Sequence, residues 1–299
     1  MFIDPQPPSE AFDNSARAYT HVVATPIASA MGAEISGVDL RDVPDAAVDE
    51  IKDALFRHKM VFFRNQQLTD EEQLRFTRQI GPASLDPYAD PHAPDCQVTP
   101  VIKEADEKQP FVFGGGWHTD SAFMAQPPAI TMLRAIDIPP YGGDTMWANA
   151  ALAYRALSPR MQDILRDMKV HMHSAKFLAI NPSLSDYSKG YSTDEVRDQA
   201  VAGAFHPLVR THPETGEKAL YLSAMYAQGI RGMTEAEGMM FIDFLMLHIN
   251  QSMFTCRLKW EKDMVAMWDN RLCQHLAMND YDGFRREVRR SMVAGEVPA

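Results

Sequence analysis

Residues 114–120 read Gly-Gly-Gly-Trp-His-Thr-Asp and combine a flexible turn with two side chains that can bind a metal ion. In an extended chain, residues i and i+2 project from the same face, so His118 and Asp120 can reach one ion. The glycines permit a tight turn, which is typical of the rim of a sheet rather than of its middle. An imidazole and a carboxylate are two of the three ligands in the facial triad that holds non-haem Fe(II). Taken alone, such a pair is also typical of an ordinary polar turn.

A second pair of side chains is a rival for the metal. His171 and His173 repeat the i, i+2 spacing on a predicted strand over residues 169–173. No Asp or Glu lies beside them, so this pair lacks a neighbouring carboxylate ligand. The sequence therefore favours the pair at positions 118 and 120.

The composition is that of an ordinary soluble globular protein. Of the 299 residues, 45% are hydrophobic and 23% charged, and no linker divides them, so we expect one domain over 1–299. A formal net charge of −11 without a basic stripe argues against nucleic acid as a partner. No apolar run approaches the roughly 18 residues that span a membrane, and residues 1–5 lack the regions of a signal peptide. Three scattered cysteines, Cys96, Cys256 and Cys273, indicate no disulfide framework and fit a reducing cytoplasm.

Local signals predict the helices. One helix is expected after Pro44, and N-cap signals mark three more: capping boxes at residues 69–72 and 234–237, and Ser158 before Pro159. The apolar spacing assigns buried faces to the last two helices, namely Met161, Ile164, Leu165 and Met168 after Ser158, and Phe241, Phe244, Leu245 and His248 after residue 234.

Short apolar or alternating runs predict strands, including those at residues 33–40, 60–63, 129–133 and 265–268. Many short strands with turns between them and a few helices indicate a mainly β fold. We expect a double-stranded β-helix, or jelly roll, with flanking helices rather than a parallel α/β sheet.

Three segments lack clear periodicity. Residues 1–20 are Pro-rich and polar and are expected to form a loose arm. Residues 82–113 are predicted to be a loop, and residues 174–204 a polar insertion. We expect the last two segments to close as a lid over the site, because reactive intermediates need water excluded.

Several motifs in order resemble the taurine dioxygenase / 2,4-dichlorophenoxyacetate dioxygenase (TauD/TfdA) family of Fe(II)- and 2-oxoglutarate-dependent oxygenases. The resemblance covers roughly residues 30–297. It rests on these pieces: Trp117-His118-Thr119-Asp120, Gly142-Gly143-Asp144-Thr145, the segment from His206 to Gly216, Trp268-Asp269-Asn270-Arg271 with His275, and finally Arg286 and Arg290.

By this resemblance, the chain is a dioxygenase that uses Fe(II), 2-oxoglutarate and O2 and releases succinate and CO2. His118, Asp120 and His275 are its metal ligands and catalytic centre. The resemblance also implies that Thr145 and Arg286 hold the distal carboxylate of 2-oxoglutarate.

Arginine chemistry supports the last assignment, because its fork of donors matches a carboxylate bidentately. On one strand, Arg286 and Arg290 share a face about 13 Å apart and can point at two anions in one cavity. Arg285 and Arg289 fall on the opposite face, where we expect solvent or acidic partners. The alternative is an ordinary charged strand.

The resemblance implies that Arg290 faces an acidic group of the substrate. In the taurine enzyme a histidine helps to hold the sulfonate, but here that region reads Leu85-Asp86-Pro87-Tyr88, so taurine itself is disfavoured. We expect a small anionic substrate, namely an organic acid, sulfonate or sulfate ester. Asp86 would repel an anion and could instead hold a substrate amine, and Ser121 is a further candidate for substrate contact.

Two other functions stay open at this point. The first is a jelly-roll enzyme that uses another divalent metal without 2-oxoglutarate. The presence of the pair Thr145 and Arg286 argues against this alternative. The second is a non-catalytic binding relative, which would have a broken triad. The sequence allows a homo-oligomer but does not identify one.

Overall fold

The fold is described from a computed structural model, which describes residues 12–89, 97–108, 114–175 and 193–299. Within these ranges the helices are α1 (Asp45–His58), α2 (Asp70–Ile80), α3 (Ala150–Arg155), α4 (Pro159–Leu165), α5 (Asp194–Ala202) and α6 (Glu235–Ile249). The strands are β1 (Val23–Pro26), β2 (Ala33–Ser36), β3 (Met60–Phe63), β4 (Ala83–Ser84), β5 (Thr99–Lys103), β6 (Ile130–Asp137), β7 (Thr145–Asn149), β8 (Lys169–Met172), β9 (Ala204–Pro207), β10 (Val209–Thr211), β11 (Lys218–Leu220), β12 (Ala227–Ile230), β13 (Thr255–Leu258), β14 (Val265–Asp269), β15 (Cys273–Ala277) and β16 (Arg286–Val293).

The strands form a large sheet and three small ones. The large sheet has the order β1-β2-β3-β14-β6-β16-β4, and β5 also pairs with β16. Its pairs are antiparallel except for β2 with β3. The small sheets are β13-β7-β15, β12-β8-β9 and the hairpin β10-β11. The result is the mainly β jelly roll with flanking helices that the sequence predicts.

The central strands of the large sheet are buried on both faces. In β3, Met60 and Phe62 pack into the core between the sheets, while Val61 and Phe63 pack under α1 and α2. Strand β14 alternates in the same way, with Trp268 facing inward. Strands covered on both sides lose their polar face, which explains why these runs are continuously apolar.

The predicted helix starts are confirmed. Both capping boxes form, and Ser158 caps α4 with Pro159 at the first turn. The predicted buried faces are partly wrong. In α4 only Leu165 is buried. In α6 the buried face is Gly238, Ile242, Leu245, Met246 and Ile249, because α6 is apolar nearly all round and its spacing does not fix the inward side.

The predicted arm and loops also need correction. Asn14 is buried and donates hydrogen bonds to the carbonyls of Ala28 (2.7 Å) and Gly32 (3.0 Å), so residues 12–20 include a docked segment rather than a wholly loose arm. Within 82–113 lie strands β4 and β5, both paired with β16. Within 174–204 lies helix α5, capped by Thr193. Residues 90–96, 109–113 and 176–192 of the predicted lid lie outside the described residues.

Two further features bear on the expectations from composition. Among the described residues, no helix is long and apolar enough to cross a membrane. Cys256 and Cys273 are buried free thiols, and Cys96 lies outside the described residues.

Candidate active site

The candidate metal centre lies where two distant segments pair. The N–H of His118 donates to the carbonyl of His275 at 3.0 Å, and the N–H of His275 donates back at 2.7 Å. The chain reaches this pairing through Gly114, whose φ of 80° is in the left-handed region and where a Cβ would lie 3.2 Å from the His118 ring. The glycine-rich turn at the sheet rim thus has a steric reason.

Three potential ligands converge at this point. The ligand atoms of His118, Asp120 and His275 all lie within 4.8 Å of one another, and all three side chains are buried. Oδ1 of Asp120 is 3.7 Å from Nε2 of each histidine. Two imidazoles and one carboxylate that converge from one side on a common point match the facial triad that binds Fe(II).

The protonation states suit metal binding. Burial, with a smaller contribution from His118, lowers the pKa of His275 to about 3, so its imidazole is neutral. Burial would raise the pKa of the Asp120 carboxyl, but His275, His118 and Arg290 together hold it well below its usual range. Nδ1–H of His118 donates to the carbonyl of Gly116 at 2.6 Å, which leaves Nε2 as the ligand atom.

Asp120 is oriented by a buried polar network. The hydroxyl of Thr131 donates to Oδ2 of Asp120 at 2.6 Å, and Nδ2 of Asn270 donates to the Thr131 oxygen at 2.8 Å. Oδ1 of Asn270 accepts from the Asp120 N–H at 3.2 Å and from the Trp268 indole at 3.1 Å. Trp268 and Asn270 belong to a motif whose sequence indicated no role for either residue, and no local sequence signal pointed to Thr131.

A cavity in front of the triad has mainly apolar walls, formed by Val101, Leu133, Trp268, Ala277 and Val288. The predicted residues Thr145, Arg286 and Arg290 also line it. The two arginines lie on the inward face of β16, as the spacing predicts. Arg285 and Arg289 carry acidic partners outside, including Glu287, which contacts both.

Arg286 is a buried cation without a full set of partners. Its Nε and Nη2 have no hydrogen-bond partner among the described residues, and burial lowers its pKa. An arginine nevertheless stays charged in proteins. The Trp260 ring lies 5.8 Å from its guanidinium carbon, and the Trp260 indole donates to the Thr145 hydroxyl at 2.9 Å. The region of Thr145 and Arg286 can therefore accept an anion.

Arg290 has an acidic partner. Its Nη2 donates to Oδ2 of Asp86, and both side chains are buried. The Asp86 carboxylate is thus paired internally, which disfavours the expectation that it holds a substrate amine. Ser121 is buried beside Asp120 but is not among the residues that line the cavity.

The rival histidines do not form a metal site among the described residues. Nε2 of His171 lies 3.0 Å from the carbonyl of Ala202, and the His171 ring stacks on Phe205 at 4.4 Å. The described residues that converge for a metal are instead His118, Asp120 and His275.

A jelly roll that brings two histidines and one carboxylate to a cavity is typical of non-haem metal oxygenases. Comparison with known proteins is consistent with this class. Residues 24–292 match the family model described as taurine catabolism dioxygenase TauD, TfdA family. The chain belongs to the TauD/TfdA family of dioxygenases.

Named relatives extend over most of the chain. The alpha-ketoglutarate-dependent sulfate ester dioxygenase of Pseudomonas putida is 37% identical over 276 residues, covering 91% of this chain and 89% of that protein. An alkylsulfatase of Acinetobacter baylyi is 35% identical over 272 residues, covering 89% of this chain and 83% of that protein.

Solved structures agree with the fold. A taurine dioxygenase from Burkholderia xenovorans superimposes with a TM-score of 0.78 at 35% identity, covering 94% of this chain and 93% of the other. The structure of AAD-2 in complex with Mn(II) and N-oxalylglycine gives a TM-score of 0.75 at 28% identity, covering 93% of this chain and 99% of the other.

Proposed function

We propose that this chain is an Fe(II)- and 2-oxoglutarate-dependent dioxygenase that hydroxylates a small organic acid, sulfonate or sulfate ester. The observation that carries the proposal is Arg286, a buried guanidinium whose Nε and Nη2 have no hydrogen-bond partner within the described part of the chain, in the cavity that also holds the metal triad. A buried cation without partners is costly, so such a site is built for an anionic ligand.

The distal carboxylate of 2-oxoglutarate suits this position. Thr145 accepts from the Trp260 indole, so its own hydroxyl proton is available to donate to the same carboxylate as Arg286. A Cβ at Gly143 would lie 3.2 Å from Cδ of Arg286, and φ at Gly143 is 68°. Glycine at that position therefore leaves the arginine the room it needs.

His118, Asp120 and His275 would hold the metal and leave three coordination positions open. Bound by these residues, Fe(II) together with 2-oxoglutarate and O2 would supply the oxidising power for hydroxylation of a substrate carbon, with 2-oxoglutarate converted to succinate and CO2. The residues of this chain orient the co-substrate and keep water out. The apolar walls at Val101, Leu133 and Val288 serve the second purpose.

Arg290 is the residue that we assign to the acidic group of the substrate. It lies in the same cavity as the triad and on the same strand face as Arg286. The relatives reported above, a sulfate ester dioxygenase and an alkylsulfatase, are consistent with an anionic sulfur ester as substrate. Hydroxylation of the carbon that bears such an ester oxygen would give an α-hydroxy sulfate ester. As this product loses its hydroxyl proton, a carbonyl group forms, the C–O bond to the ester oxygen breaks and sulfate is released.

The test is a screen of alkyl sulfates, alkanesulfonates and carboxylates for succinate release with Fe(II), 2-oxoglutarate and O2. We expect at least one class to stimulate succinate formation in a 1:1 ratio with substrate loss, and the variant His118→Ala to give none. Substrate turnover without 2-oxoglutarate, or with Zn(II) alone, would contradict the proposal. It would favour a jelly-roll enzyme that uses another divalent metal and no 2-oxoglutarate.

A further inference from the structure

We propose that Asp86 is a specificity-determining residue that competes with the anionic group of the substrate for Arg290. The inference rests on the proposed function and deepens it, because it concerns how strongly the same cavity binds anions. It predicts that this chain binds an anionic group less tightly than Arg290 alone would allow, and that Asp86 is the reason.

The first observation is the ion pair itself. Nη2 of Arg290 donates to Oδ2 of Asp86, with only 9% and 5% of the two side chains exposed. Arg290 also lines the cavity beside the triad. The guanidinium that would receive a substrate anion thus already contacts a carboxylate in a site where solvent screening is weak.

The second observation is that Asp86 is held in place independently of Arg290. The Thr99 hydroxyl donates to Oδ2 of Asp86 at 3.0 Å, and the N–H of Tyr88 donates to Oδ1 at 3.0 Å. Thr99 lies opposite Arg290 in the pairing of β5 with β16. Asp86 therefore stays beside Arg290 when a ligand approaches, and it does not swing out to solvent as a surface carboxylate would.

The number of cationic side chains in the cavity determines how Asp86 affects the binding of an anionic group. The cationic side chains that line it, within the described residues, are Arg286 and Arg290. If 2-oxoglutarate takes Arg286, an anionic substrate group must share Arg290 with Asp86 and is repelled by that carboxylate. A neutral group of the same size meets no such repulsion. Asp86 therefore weakens the binding of an anionic group at Arg290 and leaves the apolar contacts unaffected.

The test uses Asp86→Asn, which removes the charge and keeps the shape and an acceptor oxygen. Wild-type and variant proteins are loaded with Mn(II) and N-oxalylglycine, and binding of n-hexyl sulfate is measured by calorimetry. We expect the variant to bind n-hexyl sulfate about tenfold more tightly, equivalent to about 1.4 kcal/mol. Binding of the neutral n-hexanol should change by less than about twofold, because no charge is involved.

Two further variants sharpen the comparison. Asp282→Asn removes a carboxylate that pairs with Lys103 at 2.9 Å and lies outside the residues lining the cavity, so it should leave n-hexyl sulfate binding unchanged. Thr99→Val removes one of the two contacts that fix Asp86, and it should tighten n-hexyl sulfate binding by less than Asp86→Asn does. It keeps the test decisive if the first variant folds poorly.

Equal or weaker binding of n-hexyl sulfate by Asp86→Asn would overturn the inference, because Asp86 would then orient Arg290 for the anion. Failure of both proteins to bind the probe would overturn it as well, while 2-oxoglutarate-dependent succinate release would still support the proposed function. Conversely, failure to bind N-oxalylglycine would contradict the proposed function. The inference would then be tested by n-hexyl sulfate binding in Arg286→Ala proteins with and without Asp86→Asn, where Arg290 is the cationic side chain that still lines the cavity within the described residues.

Discussion

The Thr131 hydroxyl donates a 2.6 Å hydrogen bond to Oδ2 of Asp120, the carboxylate of the candidate metal triad. The other oxygen, Oδ1, faces Nε2 of both histidines at 3.7 Å. Since Asn270 donates to the Thr131 oxygen, the direction of the Thr131 proton is fixed toward Asp120. One carboxylate oxygen is thus occupied by the protein, and the other is presented to a metal.

The first prediction is that Thr131→Val weakens metal binding. Valine keeps the shape of threonine but leaves Oδ2 of Asp120 without its donor, and loss of such an outer contact typically reduces metal affinity about 10–100-fold. Titration with Mn(II) measures the change. Thr77→Val is the matched control, since Thr77 is equally buried but bonds to Gln73 and Ser291. Similar losses in both variants would indicate general destabilisation instead.

Local signals in the sequence predicted the helix starts and the central strands. A capping box needs only residues three apart, and the one at Thr69 and Glu72 forms as expected. Likewise, Met60–Phe63 is a short apolar run whose burial on both faces follows from its composition. These features depend on neighbouring residues, so the sequence contains what is needed to predict them.

Features set by tertiary partners were predicted less well. Strand β5 (Thr99–Lys103) contains Pro100 and lies in a Pro-rich region, and it becomes a strand by pairing with β16. The inward face of α6 was misassigned because the helix itself carries apolar side chains on nearly all of its faces. Here the partner decides the structure, and local propensity does not.

The candidate site shows the same division. The spacing of His118 and Asp120 indicated a metal pair, and resemblance supplied His275, which lies beside them. Neither route indicated the pairing of Asp86 with Arg290, because that contact joins residues 204 positions apart. Which acid meets which arginine depends on how β16 is placed in the sheet.

The second prediction concerns the triad. Alanine at His118, Asp120 or His275 should abolish metal-dependent succinate formation and leave the circular dichroism spectrum largely unchanged, because three ligands are needed to hold the ion with positions left open. His171→Ala is the control and should retain activity. If the control loses activity while His118→Ala keeps it, the ligand assignment is wrong.

The third prediction separates the two arginines. Arg286→Ala should raise the KM for 2-oxoglutarate about 10–100-fold, since a hydrogen bond to a charged group contributes about 1.5–3 kcal/mol. Arg290→Ala should mainly raise the KM for the primary substrate. Steady-state kinetics with each substrate varied in turn measures both effects. Equal effects of both changes on the two KM values would remove the proposed division of roles.

A buried histidine outside the site makes stability depend on pH. His58 is fully buried at the end of α1, where its Nδ1 lies 2.7 Å from Oδ1 of Asn14. Burial, with the nearby charges of Arg57 and Lys59, lowers the pKa of His58 to about 4 from its usual 6.5. Between about pH 4 and pH 6.5, His58 is therefore neutral in the folded protein and protonated in the unfolded chain.

The fourth prediction follows from this difference. As pH falls from about 6.5 to about 4, the unfolded chain gains a proton that folded His58 does not, so the free energy of unfolding should decrease by about 3 kcal/mol from this group. Above about pH 6.5 the group has no such effect. Urea unfolding of wild type and His58→Gln between pH 4.5 and 8 measures it. The variant should be less stable at pH 8 yet lose less stability on acidification. His206, whose pKa burial also lowers to about 4, remains in both proteins, so parallel pH curves would show that His58 contributes nothing.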